Sequence, residues 1–290
     1  MDLYNHSDIK ALLSAHGFRF SKAMGQNFLI DESVPERIAE KSGIDGHSAV
    51  LEIGPGIGAL TCKLSEKAGK VIAIELDKAL PPVLKDTLKD CGNVEIICGD
   101  VLKTDLNRLI SEKFGGFTPC VCANLPYNIT TPVIVKLLES GLFETVTVMI
   151  QKEVAQRIVS KPGASEYGAF TVFVNYYTKP EILFDVPPCS FVPQPKVTSS
   201  VIKLTRRTQP ICDICDEKLF FRIVRASFAQ RRKTLVNGLA AAFPLSKAEI
   251  EKAVCDSGFD ANVRGETLGI QEFAVLCANL NKILPNSPKS

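Results

Sequence analysis

Along the chain, short and mostly apolar runs alternate with longer stretches of helical spacing. The runs fall at residues 49–53, 71–74, 94–98, 119–123 and 145–150, and the residue after each is Gly, Glu, Asn or Gln. Runs this short, closed by polar or turn residues, predict buried strands. Helical spacing fills residues 59–68, 78–89, 131–140 and 151–160. Strands alternating with helices at this interval predict an α/β, Rossmann-like domain with a parallel, doubly wound sheet. Residues 169–177, rich in Val, Phe, Thr and Tyr, predict further β structure, and residues 200–204 a last strand. Ahead of the sheet, Ile9, Leu12 and Leu13 mark a helix stopped by Gly17, and a second helix runs from a cap at Asp31 to about Ser42. Between them lies a loop in which Phe18, Phe20 and Phe28 interleave with Arg19 and Lys22. Four prolines within residues 186–196 predict a stiff extended loop. After Gln209-Pro210, residues 217–283 are helix-rich. The expected organisation is N-terminal helices and an arm (1–42), an α/β domain (43–207) and a smaller all-helical domain (208–290).

Composition adds only boundaries. The chain is 46% hydrophobic and 23% charged, with a mean hydropathy of +0.11, ordinary for a globular protein. No apolar run is long enough to span a bilayer, and the N-terminus lacks the basic head and apolar core of a signal peptide. Ten cysteines are scattered, with Cys98, Cys120 and Cys122 inside apolar runs, where free thiols act as small hydrophobes. A reducing, cytoplasmic location is therefore expected. Cys212-x-x-Cys215 has no second ligand pair, so no metal is expected.

Charge changes the picture locally. The net charge is only +2, but residues 206–240 hold eight Lys and Arg against Asp213, Asp216 and Glu217. Clustering of this kind suits phosphate and hence nucleic acid; a solvated helix face explains the charge alone as well. If one helix runs through Lys218, Arg222, Arg225, Arg232 and Lys233, all five share one side, with Phe221, Val224, Phe228 and Leu235 on others.

The candidate chemistry lies at the strand ends. Gly54-Pro-Gly-Ile-Gly58 joins the first strand to a helix, so the backbone can approach a ligand closely and the helix start favours a carboxylate or phosphate. Glu75 ends the next strand, where an acid accepts from ribose hydroxyls. The loop also fits the dinucleotide fingerprint as Gly54-x-Gly56-x-x-Ala59. Asp100, ending the third strand, is placed to accept from an adenine amino group, which NAD does not call for. His6, His16 and His47 lie away from this rim, leaving no hydride-transfer partner. S-adenosylmethionine fits better, with its carboxylate at the glycine loop, its ribose at Glu75 and its adenine at Asp100. Asn124-Leu-Pro-Tyr127 ends the next strand. By itself it reads as a turn; beside a cofactor it offers an amide, an extended backbone and a flat ring.

Together these motifs resemble a known family. Gly25-Gln-Asn-Phe-Leu29, Val50-Leu-Glu-Ile-Gly-Pro-Gly-Ile-Gly-Ala-Leu-Thr61, Val71-Ile-Ala-Ile-Glu-Leu-Asp77, Asn124-Leu-Pro-Tyr127 and Phe191-Val-Pro-Gln-Pro-Lys-Val197 follow one another as in the rRNA adenine N6,N6-dimethyltransferases. The bacterial small-subunit type is the nearest match, over about residues 18–280, and Gln230-Arg-Arg-Lys-Thr-Leu235 resembles its C-terminal domain. The resemblance implies a class I S-adenosylmethionine-dependent methyltransferase that dimethylates two adjacent adenosines near the 3′ end of 16S rRNA, in the immature 30S subunit, as a monomer. It implies cofactor contacts at Asn27, Leu29, Gly54, Glu75, Asp100 and Asn124. It implies an acceptor site in which Asn124 and the Leu125 carbonyl take hydrogen bonds from the target amine while Tyr127 and Phe191 sandwich the base. The arm is less basic than in relatives, with only Arg19 and Lys22. The alternatives are an Erm-type methyltransferase of large-subunit rRNA, a non-catalytic RNA-binding or ribosome assembly factor, a transcription factor on the same scaffold, and, more distantly, an NAD oxidoreductase. The length of the helical region and Leu at 125 favour the small-subunit type, and the intact Asn124, Glu75 and Asp100 favour catalysis.

Overall fold

The computed structural model describes residues 2–18, 25–230 and 232–284; Arg19, Phe20, Lys22 and Arg231 of the sequence reading lie outside them. The elements run α1 (His6–Ala15), β1 (Phe28–Leu29), α2 (Ser33–Ser42), β2 (Ser48–Ile53), α3 (Ala59–Ser65), β3 (Lys70–Glu75), α4 (Leu80–Thr87) and β4 (Val94–Cys98). Then come α5 (Leu106–Lys113), β5 (Thr118–Asn124), α6 (Thr130–Ser140), β6 (Thr145–Gln151), α7 (Lys152–Val159), α8 (Ala169–Tyr177) and β7 (Thr178–Val186). They end with β8 (Phe191–Val192), β9 (Ser199–Arg206), α9 (Glu217–Ala229), α10 (Leu235–Ala240), α11 (Lys247–Asp256) and α12 (Ile270–Ile283). Among the described residues no helix is long and apolar enough to cross a membrane.

Seven strands form one sheet in the order β4-β3-β2-β5-β6-β9-β7. The pairs from β4 to β6 are parallel, with Val50 opposite both Val71 and Cys120, as a doubly wound sheet requires. The parallel run ends at one side, where β9 runs antiparallel to β6 and sets Ser199 opposite Gln151. β2, β3 and β5 are central, and β2 is buried along its whole length, which explains its nearly continuous apolar run. The chain leaves β2 for β3 and β4 and returns to β5 on the other side of β2. That reversal opens a crevice at the carboxyl ends of β2 and β5, the place where such sheets bind ligands.

Two compact units emerge: Met1–Ala155 with Pro180–Arg206, and Gln156–Lys179 with Arg207–Ser290. The second therefore includes residues 156–179, which the expected boundaries assigned to the α/β domain. Its α8 replaces the β structure expected at residues 169–177. Val172 is buried there, Phe173 and Tyr176 pack edge-on or tilted against Phe220 and Phe221 of α9, and Tyr177 stacks on Phe221. Thr171 Oγ1 accepts the Gly168 N–H at 3.2 Å and so closes the first turn. Tertiary burial overrides strand propensity in such a segment. The long basic helix is also corrected. α9 stops at Ala229, and Thr234 begins α10 by accepting the Asn237 N–H. Arg232 and Lys233 lie in the turn between them.

Candidate active site

A single cavity gathers all but one of the residues singled out from the sequence: Asn27, Leu29, Gly54, Glu75, Asp100, Asn124, Leu125 and Tyr127 line it. It encloses about 180 Å³. Glu52, Glu75 and Asp100 are among its walls, and none of its described lining residues is Lys, Arg or His. Such a wall attracts a cation and repels a pyrophosphate.

The floor is built where β2 ends. Gly54 and Gly56 hold φ of +70° and +61°, conformations that other residues adopt only with strain. A Cβ on Gly54 would meet nothing, whereas one on Gly56 would come within 3.2 Å of the Phe28 ring. The glycine loop is thus open on the cavity side and packed on the arm side. Glu75, 6% exposed, ends β3 and accepts the Asp77 N–H at 2.7 Å. Burial pushes its carboxyl up from the ordinary range and the Asp77 charge adds to this, against hydrogen bonds from the Asp77, Gly56 and Leu76 backbones. Asp100 opens the loop after β4, its Oδ1 accepting the Leu102 N–H at 2.9 Å.

The acceptor motif enters from β5. The Leu125 N–H donates to the Met149 carbonyl at 3.1 Å, which continues the β5–β6 ladder and fixes the backbone at that rim. The chain then turns, with the Ile129 N–H and the Thr130 hydroxyl both donating to the Pro126 carbonyl. Asn124 Nδ2 donates to the Asn27 carbonyl at 3.4 Å, and Asn27 Nδ2 to the Gly25 carbonyl at 3.0 Å. The arm and the acceptor motif therefore meet at one wall. Tyr127 is half-buried, and its hydroxyl shares a 2.7 Å hydrogen bond with Ser199.

Phe191 is the exception. It is 1% exposed, packs among Leu29, Val34 and Ile38, and does not line the cavity. The cause is strand pairing, since β8 sets Phe191 opposite Leu29 of β1. The ring expected opposite Tyr127 is here a buried residue of the core beside the arm.

Four residues of the site escaped the sequence reading. Glu52 is 1% exposed with Oε2 unpartnered, and burial pushes its carboxyl up to about 8, with the Glu75 charge adding and Thr61 opposing. A charged residue inside an apolar strand was the available signal. Leu76 lines the cavity, yet its side chain stands out as one of the exposed large hydrophobics at 54%. Gln26 Nε2 donates to Asp77 Oδ2 at 2.7 Å. Ser199 is fully buried behind Tyr127. The sequence carried no sign of the last three roles.

In the helical unit, Lys218, Arg222, Arg225, Arg232 and Lys233 are all exposed. Arg222 is engaged within the unit, stacking over Phe243 at 4.2 Å and donating to the Ala242 carbonyl.

Residues 17–274 match the model of the family described as ribosomal RNA adenine dimethylase. The chain is 46% identical over 288 residues to ribosomal RNA small subunit methyltransferase A of Geobacillus sp. strain WCH70, covering 98% of this chain and 99% of that one. It is 50% identical over 279 residues to the protein of that name from Shouchella clausii, covering 95% and 94%. Among solved structures it resembles a dimethyladenosine transferase from Plasmodium falciparum, with a TM-score of 0.74, 28% identity and coverage of 88% and 97%. It also resembles the 23S rRNA methyltransferase ErmE, with a TM-score of 0.66, 25% identity and coverage of 88% and 99%.

Proposed function

The chain belongs to the ribosomal RNA adenine dimethylase family, and from that premise we propose that it dimethylates N6 of two adjacent adenosines in the 3′-terminal loop of 16S rRNA, on the immature 30S subunit. The observation that carries this reading is the opening of Asn124 and Tyr127 onto the same cavity as Gly54, Glu75 and Asp100. The small-subunit name of the relatives at 46–50% identity, against 25% for ErmE, supports 16S over 23S rRNA.

The cavity suits S-adenosylmethionine through its acidic, cation-attracting walls and open glycine loop. Glu75 accepts from the ribose hydroxyls, Asp100 accepts from the adenine amino group, and Gly54 leaves the backbone bare for the amino-acid end. Asn27 and Leu29 close the site from the arm. Bound there, the cofactor supplies an activated sulfonium methyl group, so the chain has no need of a metal or a strong base. Its task is alignment and exclusion of water. The Asn124 side-chain carbonyl and the Leu125 backbone carbonyl accept from the target N6 amine, drawing its lone pair out of the ring. Tyr127, held by Ser199, gives one face for a base taken out of its stack. Phe191 supports the arm from the core. The exposed cations of the helical unit neutralise rRNA phosphates. The enzyme acts as a cytoplasmic monomer in this reading.

Labelled cofactor offered with unmethylated small subunits, naked 16S rRNA and large subunits tests the proposal. Label on two adjacent small-subunit adenines is expected. Label only on large-subunit rRNA overturns the substrate, and tight RNA binding without transfer favours an assembly factor.

A further inference from the structure

Lys136 lies on α6, just beyond the acceptor motif, yet its side chain serves a different loop. Its Nζ donates to the Leu102 carbonyl at 2.8 Å and the Thr104 carbonyl at 2.7 Å. Both carbonyls belong to the turn that begins at Asp100. Within that turn the Lys103 and Thr104 N–H groups donate to the Asp100 carbonyl at 2.9 and 3.0 Å, and the Thr104 hydroxyl donates to it at 2.9 Å. The Leu102 N–H meanwhile holds Asp100 Oδ1. Residues 100–104 are therefore tied into one hydrogen-bonded turn.

Strand pairing reaches that turn from one side only, through the Gly99 N–H that donates to the Glu75 carbonyl at 2.8 Å. β4 is an edge strand paired with β3 alone, and it ends at Cys98, before Asp100. Lys136 is half-buried, where screening by salt is weaker than at the open surface. Its two bonds are charge-assisted, a class about twice as strong as neutral hydrogen bonds. Lys136 does not line the cavity, while Asp100 and its neighbour Val101 do.

We propose that Lys136 is a positioning residue for the adenine end of the cofactor, holding residues 100–104 from behind so that Asp100 meets the adenine amino group. The proposal rests on the cofactor reading given above. It also makes α6 a shared strut, since the helix that starts beside Asn124-Leu-Pro-Tyr127 carries the tie to the adenine side.

The test compares the unaltered chain with Lys136→Met, which keeps the stem and removes both bonds, and Lys136→Arg, which restores a cation with several donors. Calorimetry gives the affinity for S-adenosylhomocysteine and for 5′-methylthioadenosine, which lacks the amino-acid end. The Met variant is expected to bind both about tenfold more weakly, by a common factor, as the loss of about one net hydrogen bond implies. KM for S-adenosylmethionine should rise in step while kcat at saturation stays within about twofold, and the Arg variant should recover most of the loss. If the Met variant does not fold, affinity must fall in the order Lys, Arg, Gln across Lys136→Arg and Lys136→Gln. Unchanged affinities with a lower melting temperature would reduce Lys136 to a structural prop and overturn the proposal. A loss confined to S-adenosylhomocysteine would place its influence at the other end and overturn it too. Failure of the unaltered chain to bind S-adenosylhomocysteine would instead remove the cofactor reading, and the proposal with it.

Discussion

Glu52 sits in the floor of the cofactor cavity with an unpartnered carboxylate oxygen, so replacing it by Gln should change stability in a pH-dependent way. In the fold, burial first and the Glu75 charge second push its carboxyl from 4.5 up to about 8. The unfolded chain therefore releases this proton near pH 4.5, while the folded chain keeps it until about pH 8. Between those values the folded state binds more protons, so stability falls as pH rises. Below the window the residue costs nothing; above it the penalty is complete. At about 1.36 kcal/mol per pH unit, the penalty is about 3 kcal/mol at pH 7. It has a ceiling of about 5 kcal/mol above pH 8, lowered in practice by relaxation and water penetration. Gln does not titrate. Urea unfolding of both proteins at pH 5, 7 and 8.5 should show the Glu52→Gln variant gaining about 2–4 kcal/mol relative to the parent between the first and last of these. The slope of the difference is the test, because the buried Gln amide adds a constant offset of its own. A difference that does not vary with pH would mean that Glu52 ionises normally in the fold, and the reasoning would fail.

Asn124→Ala should leave rRNA binding intact and lower single-turnover transfer by about 10²-fold or more, because the deleted amide orients the reacting amine; unchanged turnover sinks its role. Ser199→Ala and Tyr127→Phe each remove the same hydrogen bond and should each lower transfer by roughly three- to tenfold. The double variant should be no worse than either single one, and additive losses would separate the two residues. Burial raises the Tyr127 phenol and Ser199 opposes that rise, so ultraviolet titration of Ser199→Ala should show it ionising at still higher pH. Replacing Arg225, Arg232 and Lys233 by Ala should flatten the salt dependence of rRNA binding by roughly 0.7 for each phosphate no longer neutralised; a slope that does not move in anisotropy titrations leaves them a solvated face.

The sheet was legible because its central strands are covered on both faces, so burial is written as unbroken apolar runs. The rim of the cavity was legible for a related reason, since glycines and acids at strand ends have few structural uses. The same logic misread residues 169–177, whose Val, Phe, Thr and Tyr favour a strand by themselves. Only their packing on Phe220 and Phe221 makes them a helix. β7 was hidden by Lys179, Pro180, Glu181 and Asp185 within its length. Phe191 shows the limit of a motif. Its register partner is Leu29, more than a hundred and fifty residues away in the chain, and that pairing decides whether the ring faces the base or the core. Ser199 and Lys136 share this property. Each acts through one long-range hydrogen bond or pair of bonds, and local pattern carries no trace of them.

Strand order and wall charge together discriminate between cofactors better than any one residue. Across the sheet, β4, β3, β2 and β5 are neighbours, and they are followed respectively by Asp100, Glu75 at the strand's own end, Gly54 and the Asn124 turn. Neighbouring strands lie about 4.8 Å apart, so the three steps span roughly 14 Å, the reach of one nucleoside with an amino-acid tail. A dinucleotide would have to continue beyond β5. There the chain turns across the rim at Pro126–Ile129, fixed by the Ile129 N–H and Thr130 hydroxyl bonds to the Pro126 carbonyl. It would also have to lay a pyrophosphate along Glu75 and Asp100 with no cation among the described lining residues. A sulfonium compound carrying an ammonium group meets neither obstacle. The glycine fingerprint alone fits both ligands, but the acidic walls and the closed end at β5 favour S-adenosylmethionine. The same turn that closes this end of the cavity presents Asn124 and Tyr127 there, where the proposed reading puts the acceptor base.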